Sequence, residues 1–371
     1  MSNLKKILIC IYNLQGGGAE RVLINLLNSF VDENYDITLL VLRKEGIYLN
    51  KIPSKIKVIY AFKTLFGRKI SNKVLSFLSS QILYKMFVRE KFDVEISFLE
   101  GFATKVISGS RSNSKKIAWI HADFSNYHWT NKIFSYENEK KFYSKFDNIV
   151  CVSKLCAKSF TDKFGFRDNI KIVYNLLDKN LENYTKFKFN NVFNKYKTTK
   201  IIYVGRIEKE KSVGRLIESF EEILCMGYSD ITLFILGDGS LKKYLEEYVL
   251  KNNLSQNIKF IPFKDDVYDY ILSSDYVIVP SYSESFSLVL AESLYLGKMC
   301  IATDTAGARE VLKNGEYGMI VDNSKEGIKC GILKVINNPE LKNRYIFKMN
   351  KDNYEFNRKN VLNKIFDIIN F

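Results

Sequence analysis

The 371-residue chain carries 56 Lys and Arg against 41 Asp and Glu, a formal net charge of +15, and is 46% apolar and 26% charged. That length has room for two domains with separate cores, and the balance excludes a disordered chain. No apolar run reaches the roughly 18 residues of a membrane-spanning helix. The opening MSNLKKILICIYN runs into a glycine loop rather than a signal-peptide cleavage pattern, so a cytoplasmic protein is expected. The six cysteines (Cys10, Cys151, Cys156, Cys225, Cys300 and Cys330) form no C-x-x-C pair and read as buried free thiols, and two histidines are too few to favour a zinc site.

The first half alternates strand-like and helix-like segments. Lys6 to Tyr12 reads as a buried strand, Ala19 to Val31 as an amphipathic helix, and Ile37 to Leu42 and Lys57 to Tyr60 as two more strands. Val94 to Phe98, Lys116 to Ile120 and Asn148 to Val152 follow as strands with helices between them, the pattern of a doubly wound parallel sheet. From Asn180 to Thr199 the chain turns polar and rich in Asn and Lys, which marks a domain boundary. A second series then begins: Lys200 to Val204, Ile231 to Leu236, Ile258 to Ile261, Tyr276 to Val279, Cys300 to Ala302 and Met319 to Val321. The expected organisation is a first domain over 1–180, a linker over 181–199, a second domain over 200–344 and a terminal helix over 345–371. Two open α/β halves imply a cleft, with ligands at the carboxyl ends of the strands.

Chemistry-bearing residues cluster at those strand ends. Gly16, Gly17 and Gly18 follow the first strand, but a dinucleotide fingerprint would need a third glycine where Arg21 stands and an acid where Arg43 and Lys44 stand, so an NAD site is disfavoured. The alternatives are a simple tight turn or a loop whose backbone approaches phosphate or acceptor. His121 ends its strand in WIHADF, with Asp123 as a weaker neighbour that serves equally as a cap. Arg206 and Lys211, in GRIEKEKS, are fixed cations that would stabilise charge developing on a departing pyrophosphate; a solvated charge run accounts for Glu208, Lys209 and Glu210. Gly237 and Gly239 in LGDGS would let the chain turn close to a ligand, and Phe263 and Lys264 follow the next strand.

In Ser281 to Gly297, SYSESFSLVLAESLYLG, Glu284 lies in a loop above a strand end and Glu292 about two turns along the following helix. The amides of Phe286, Ser287 and Leu288 are expected as first-turn donors at a positive helix end. A pyrophosphate there, with a hydroxyl-bearing ring on either side, would suit both acids. Two solvated acids on an ordinary αβ turn is the simpler alternative.

The E-x7-E spacing, with an aromatic two residues after the first Glu, resembles the signature of retaining nucleotide-sugar glycosyltransferases of the GT-B fold, family 4. GGGAERVL resembles that family's first-loop motif, and Arg206 and Lys211 its G-R-x(4)-K pattern. The resemblance implies two Rossmann-like domains facing across a cleft, the first binding the acceptor, with the terminal helix crossing back onto it. It implies a catalytic set of His121, Arg206, Lys211 and Glu284, and donor contacts from Gly17, Gly18, Gly237, Phe263, Lys264, Ser285, Phe286, Ser287, Leu288 and Glu292. Glu284 would hold donor-sugar hydroxyls and Glu292 ribose hydroxyls. The implied reaction moves a hexose or N-acetylhexosamine from a UDP-linked donor to a lipid-linked or oligosaccharide acceptor, with retention, in bacterial surface-polysaccharide or capsule synthesis. No metal or other cofactor is expected. Ser212, Ser285 and Ser287 stand where the family commonly has glycine, which puts the local backbone path in question. A nucleotide-sugar epimerase of the same fold is the alternative; a basic nucleic-acid-binding protein is a remote one, lacking a recognition helix or RNP pattern.

The charge is lopsided. Residues 1–180 hold 29 basic against 16 acidic residues (+13), and 181–371 hold 27 against 25 (+2). From Lys63 to Lys91 basic residues interleave with Phe66, Ile70, Phe77, Leu78 and Phe87. This reads either as an amphipathic helix with a solvated basic face or as a surface resting on anionic lipid, which would place the protein peripherally on the inner face of the cell membrane.

Overall fold

A computed structural model of the chain describes residues 4–33, 35–125, 128–184, 189–351 and 355–370. It divides into two compact units, Met1–Leu176 with Arg358–Phe371, and Leu177–Asn357. Each is built on an all-parallel sheet, as continuous apolar strands covered by helices on both faces require.

In the first unit the strands are β1 (Lys5–Ile11), β2 (Tyr35–Arg43), β3 (Lys57–Phe62), β4 (Val94–Phe98), β5 (Lys115–Ile120), β6 (Asn148–Cys151) and β7 (Ile170–Ile172), in the order β3-β2-β1-β4-β5-β6-β7. The central strands are almost wholly buried: Ile7 to Ile11 and Val94 to Phe98 have no exposed residue. The final strand, β7, escapes sequence reading because it is three residues long and only partly buried at the sheet edge.

The second unit carries β8 (Thr199–Val204), β9 (Ile231–Leu236), β10 (Ile258–Ile261), β11 (Tyr276–Val279), β12 (Met299–Thr303) and β13 (Met319–Val321), in the order β10-β9-β8-β11-β12-β13. Ile201, Tyr203, Leu233, Ile235, Ile278 and Ile301 meet the helix residues Leu216, Phe220 and Ile332 in one apolar cluster. In both sheets the winding reverses beside the first strand, between β1 and β4 and between β8 and β11. Ligands of doubly wound sheets bind outside the carboxyl ends at such a point.

Three expectations need correction. The stretch expected as a linker is largely built into the second unit: Phe193 is buried and stacks on Phe234 at 3.8 Å, the Asn190 amide bonds Asp269 and the Val192 amide bonds Ser273. Its polar composition hid this, because two backbone amides and one aromatic ring do the anchoring. The tail is two helices rather than one, Glu340–Lys351 and Arg358–Asn370. The second of these belongs to the first unit, where Arg358 donates to Ser29 at 2.6 Å and Lys5 to the Ile369 carbonyl at 3.0 Å. Of the cysteines, four are buried, but Cys225 and Cys330 are exposed.

Candidate active site

The second unit brings its sequence-marked residues together at the reversal point. β8 ends at Val204 and the chain turns through Gly205 and Arg206 into a 3-10 turn, Lys209–Lys211. β11 ends at Val279 and runs into Ser281–Glu284. The two loops are tied by the Tyr282 amide, which donates to the Glu210 carbonyl at 3.0 Å. That bond seats Lys211 against Glu284, with Nζ donating to Oε1 at 2.6 Å, and the Ser281 hydroxyl donates to the same oxygen at 2.9 Å. Both side chains are mostly shielded, 22% and 12% exposed. Both bonds fall on Oε1, so Oε2 has no partner among the described residues. The result is a cation and a carboxylate held at the strand ends, each able to meet a polar ligand group.

Close backbone packing makes this arrangement possible. Gly205 (φ 156°) is held beside the Tyr203 hydroxyl, which donates to the Arg206 carbonyl at 2.6 Å. A Cβ at Gly237 would lie 1.9 Å from the Gly205 carbonyl oxygen, so the turns after β8 and β9 can meet only as glycines. Tyr203 ionises only well above its ordinary range, first because it is buried and then because the Glu284 charge is near. It therefore remains a hydrogen-bond donor.

Ser212, where the family commonly has glycine, adopts a glycine-favoured conformation. It lies in the left-handed region, at φ 57° and ψ 33°, a conformation that glycine adopts without strain. Ser285 and Ser287 need no glycine, since neither adopts positive φ. The helix Leu288–Tyr295 starts one to two residues later than expected, with Ser287 as its N-cap accepting from the Leu290 amide. The amides at the helix start are thus those of Leu288 and Val289 rather than Phe286; Phe286 is buried with its ring 5.5 Å from Phe356.

Glu292 differs sharply from Glu284. It is fully buried, and its Oε1 accepts from the Tyr268 hydroxyl at 3.0 Å. Arg206 stands apart from the Lys211–Glu284 pair, with its exposed guanidinium bonded to Glu210 at 2.8 Å. Phe263 and Lys264 are exposed on the loop after β10.

The first unit holds the remaining candidates. Gly17 is the N-cap and Gly18 the first residue of helix Gly18–Val31, while the positive φ expected in the glycine loop falls on Gly16. Arg43 pairs with Glu45 at 3.0 Å and donates to the Tyr12 hydroxyl, so the acid nearest the end of β2 is held in an ion pair. His121 follows β5 with its ring 5.0 Å from Phe98. Burial drives its pKa down to about 3, so it is neutral, and its buried Nε2 has no hydrogen-bond partner among the described residues. Asp123 accepts from the Ser125 amide and hydroxyl, a capping role. The second histidine, His128, is a structural one, bonded to buried Glu139 at 2.6 Å.

Residues 185–352 match the family model for glycosyl transferases group 1, and residues 16–181 that for Glycosyltransferase Family 4. The chain belongs to the GT-B glycosyltransferases of the family 4 type. The enzyme is 26% identical over 361 residues to N-acetylgalactosamine-N,N'-diacetylbacillosaminyl-diphospho-undecaprenol 4-alpha-N-acetylgalactosaminyltransferase of Campylobacter jejuni, a match spanning 92% of this chain and 93% of that one. A match of 30% identity to an uncharacterized glycosyltransferase of Methanocaldococcus jannaschii spans 57% of this chain and 55% of the archaeal protein. Among solved structures, Anabaena HepE in complex with UDP and glucose superposes with a TM-score of 0.77 at 18% identity, covering 99% of this chain and 98% of that one. WaaG, a glycosyltransferase involved in lipopolysaccharide biosynthesis, gives 0.71 at 15%, covering 96% and 98%. At those identities the structural likeness establishes the GT-B fold.

Two residues of this glycosyltransferase that sequence reading passed over now stand out. Glu100, at the end of β4 in the first unit, is buried and accepts from the amides of His121 and Ala122, the latter at 2.6 Å. Burial pushes its pKa up while those amides pull it down. Gly307 lies beside the Glu284 loop: its amide donates to the Glu284 carbonyl at 2.8 Å, and a Cβ there would lie 2.8 Å from that carbonyl oxygen and 2.9 Å from the Phe286 nitrogen. The only sequence signals were an acid and a glycine just after a strand.

Proposed function

We propose that the enzyme transfers a hexose or N-acetylhexosamine from a UDP-sugar to a lipid-linked or oligosaccharide acceptor, with retention, in bacterial surface-polysaccharide synthesis. The observation that carries the reading is the Lys211–Glu284 pair at the β8/β11 reversal. In this reading Lys211 neutralises charge on the departing diphosphate, as a fixed cation in a shielded site does best, and Glu284 accepts from donor-sugar hydroxyls through Oε2. The helix start at Ser287 faces the diphosphate, Phe263 and Lys264 take the base, and Glu292 takes the ribose by exchanging its buried partner Tyr268 for a ribose hydroxyl. Arg206 joins Lys211 by exchanging its exposed partner Glu210 for phosphate. The bond from the anomeric carbon to the phosphate oxygen breaks, the acceptor oxygen bonds that carbon on the same face, and the acceptor proton passes to the departing phosphate. The lipid-linked acceptor is suggested by the activity that the Campylobacter relative is named for, and UDP by the HepE complex.

Metal independence belongs to the same proposal: the cation role falls to Lys211. A panel of nucleotide sugars, scored first for slow hydrolysis and then for transfer to polyprenyl-diphosphate sugars, tests the reading. UDP-sugar turnover that survives EDTA, with an α-linked product from an α-linked donor, is expected. Inverted product, or activity lost with EDTA and restored by Mn²⁺, overturns the corresponding part.

A further inference from the structure

We infer that Glu100 is a positioning residue for the transfer reaction: its carboxyl fixes the peptide between His121 and Ala122 so that the His121 carbonyl and ring stand at the donor sugar. This rests on the proposed reaction, with His121 at that sugar. Glu100 lies just after β4 and is only 2% exposed, so it acts through what it holds rather than by touching a ligand. Its Oε1 accepts from both the His121 and the Ala122 amides, the latter at 2.6 Å. The described peptide bonds are all trans, and across a trans peptide the N–H and the C=O point in opposite directions. With the Ala122 N–H turned to Glu100, the His121 carbonyl is turned away from it, and no described residue donates to that carbonyl. Its neighbours are taken. Cys156 Sγ donates to the Ile120 and Ala122 carbonyls at 3.4 and 3.3 Å, and the Val152 amide donates to Ile120 at 3.2 Å. Of three successive carbonyls the middle one is left for a ligand, beside a His121 Nε2 that is also without a partner among the described residues.

The backbone is bent to deliver this arrangement. Leu99 has φ 85° and Gly101 φ 90°, so Glu100 sits between two left-handed residues. A leucine there is an outlier, and such a residue persists only where its surroundings over-determine it. The Leu99 amide donates to the Trp119 carbonyl at 3.2 Å, its carbonyl accepts from the Thr104 hydroxyl at 3.3 Å, and a Cβ at Gly101 would lie 2.8 Å from the Trp129 ring. Strain of this kind clusters where a site needs a fixed geometry. Burial raises the Glu100 pKa, but a protonated carboxyl keeps a carbonyl oxygen that accepts both amides. The aim of the loop therefore does not depend on ionisation.

Steady-state kinetics of the full chain with the nucleotide sugar that the panel selects, together with UDP affinity and melting temperature, test this. Glu100→Ala frees the peptide to rotate, and because a misplacement of about 1 Å costs about 10²-fold, kcat should fall by about that factor. Donor KM and UDP affinity should change by less than about threefold, because the proposed UDP contacts belong to the second unit and the lost one counts mainly in the transition state. Glu100→Gln, which keeps an acceptor oxygen at the Oε1 position, should recover kcat to within about threefold of wild type. Where alanine fails to fold, Glu100→Asp, one methylene shorter, should show the same split with kcat down about tenfold. A merely structural Glu100 would lower the melting temperature and leave kcat per folded molecule unchanged. That result, a loss of UDP affinity in step with kcat, or glutamine as impaired as alanine would overturn the inference while leaving the proposed reaction standing. A wild type that turns over no nucleotide sugar overturns the proposed reaction first, and this inference with it.

Discussion

Ser212 offers a test of how the Lys211 loop is held. It is a non-glycine residue in the left-handed region, and its buried hydroxyl has no hydrogen-bond partner among the described residues. Nor does it cap the helix Val213–Cys225 that it precedes. Replacing it with glycine relieves about 1 kcal/mol of backbone strain and about 1 kcal/mol of unpaired burial. Against this stands about 0.7 kcal/mol of extra backbone entropy lost on folding. Ser212→Gly should therefore stabilise the second unit by about 1 kcal/mol, a rise of roughly 2–4 °C in its melting temperature. Ser212→Val, which puts a β-branched side chain at positive φ, should act in the opposite direction. Scanning calorimetry of wild type and both variants decides the matter. A Ser212→Gly protein that melts lower than wild type would show that the hydroxyl or its packing contributes more than the strain costs, and the reasoning would fail.

Lys211→Ala and Glu284→Gln should each lower kcat/KM by about 10²-fold or more, and the double variant should lose much less than the product of the two, because the groups touch; full additivity would refute a joint role. His121, neutral with its pKa lowered to about 3, leaves the unfolded chain with more bound protons below its ordinary value of about 6.5. Its contribution is therefore complete above that pH and is lost as pH falls toward 3. Between pH 7 and 5 wild type should lose about 2 kcal/mol more stability than His121→Gln, and parallel urea-unfolding curves at the two pH values would contradict this. Gly307→Ala must push backbone atoms at Glu284 and Phe286, so it should cost about 1–3 kcal/mol and depress turnover; a variant with wild-type stability and rate would show that the loop yields freely.

The strands were legible because parallel strands covered on both faces are predominantly apolar: Tyr276–Val279 is an unbroken run, and Val94–Phe98, Ile231–Leu236 and Ile258–Ile261 are interrupted only by Glu95 and Ser97, by Thr232 and by Lys259. The short edge strand Ile170–Ile172 carries no such run, and the polar stretch before β8 conceals an anchor in Phe193. At the site, local pattern marked Lys211 and Glu284 as charged residues just after strands, since strand ends in this fold are where side chains leave the core. That these two touch was set by the order of strands, which places β8 beside β11 although 71 residues, 205–275, lie between them in the chain. The same nonlocal packing buries Glu292 against Tyr268, brings Glu100 under the His121 amide and requires glycine at 307. Residue type and spacing along the chain determined which groups could do chemistry; only the tertiary structure decided which of them are buried, partnered or left facing solvent, because burial and pairing depend on neighbours that lie far apart in sequence.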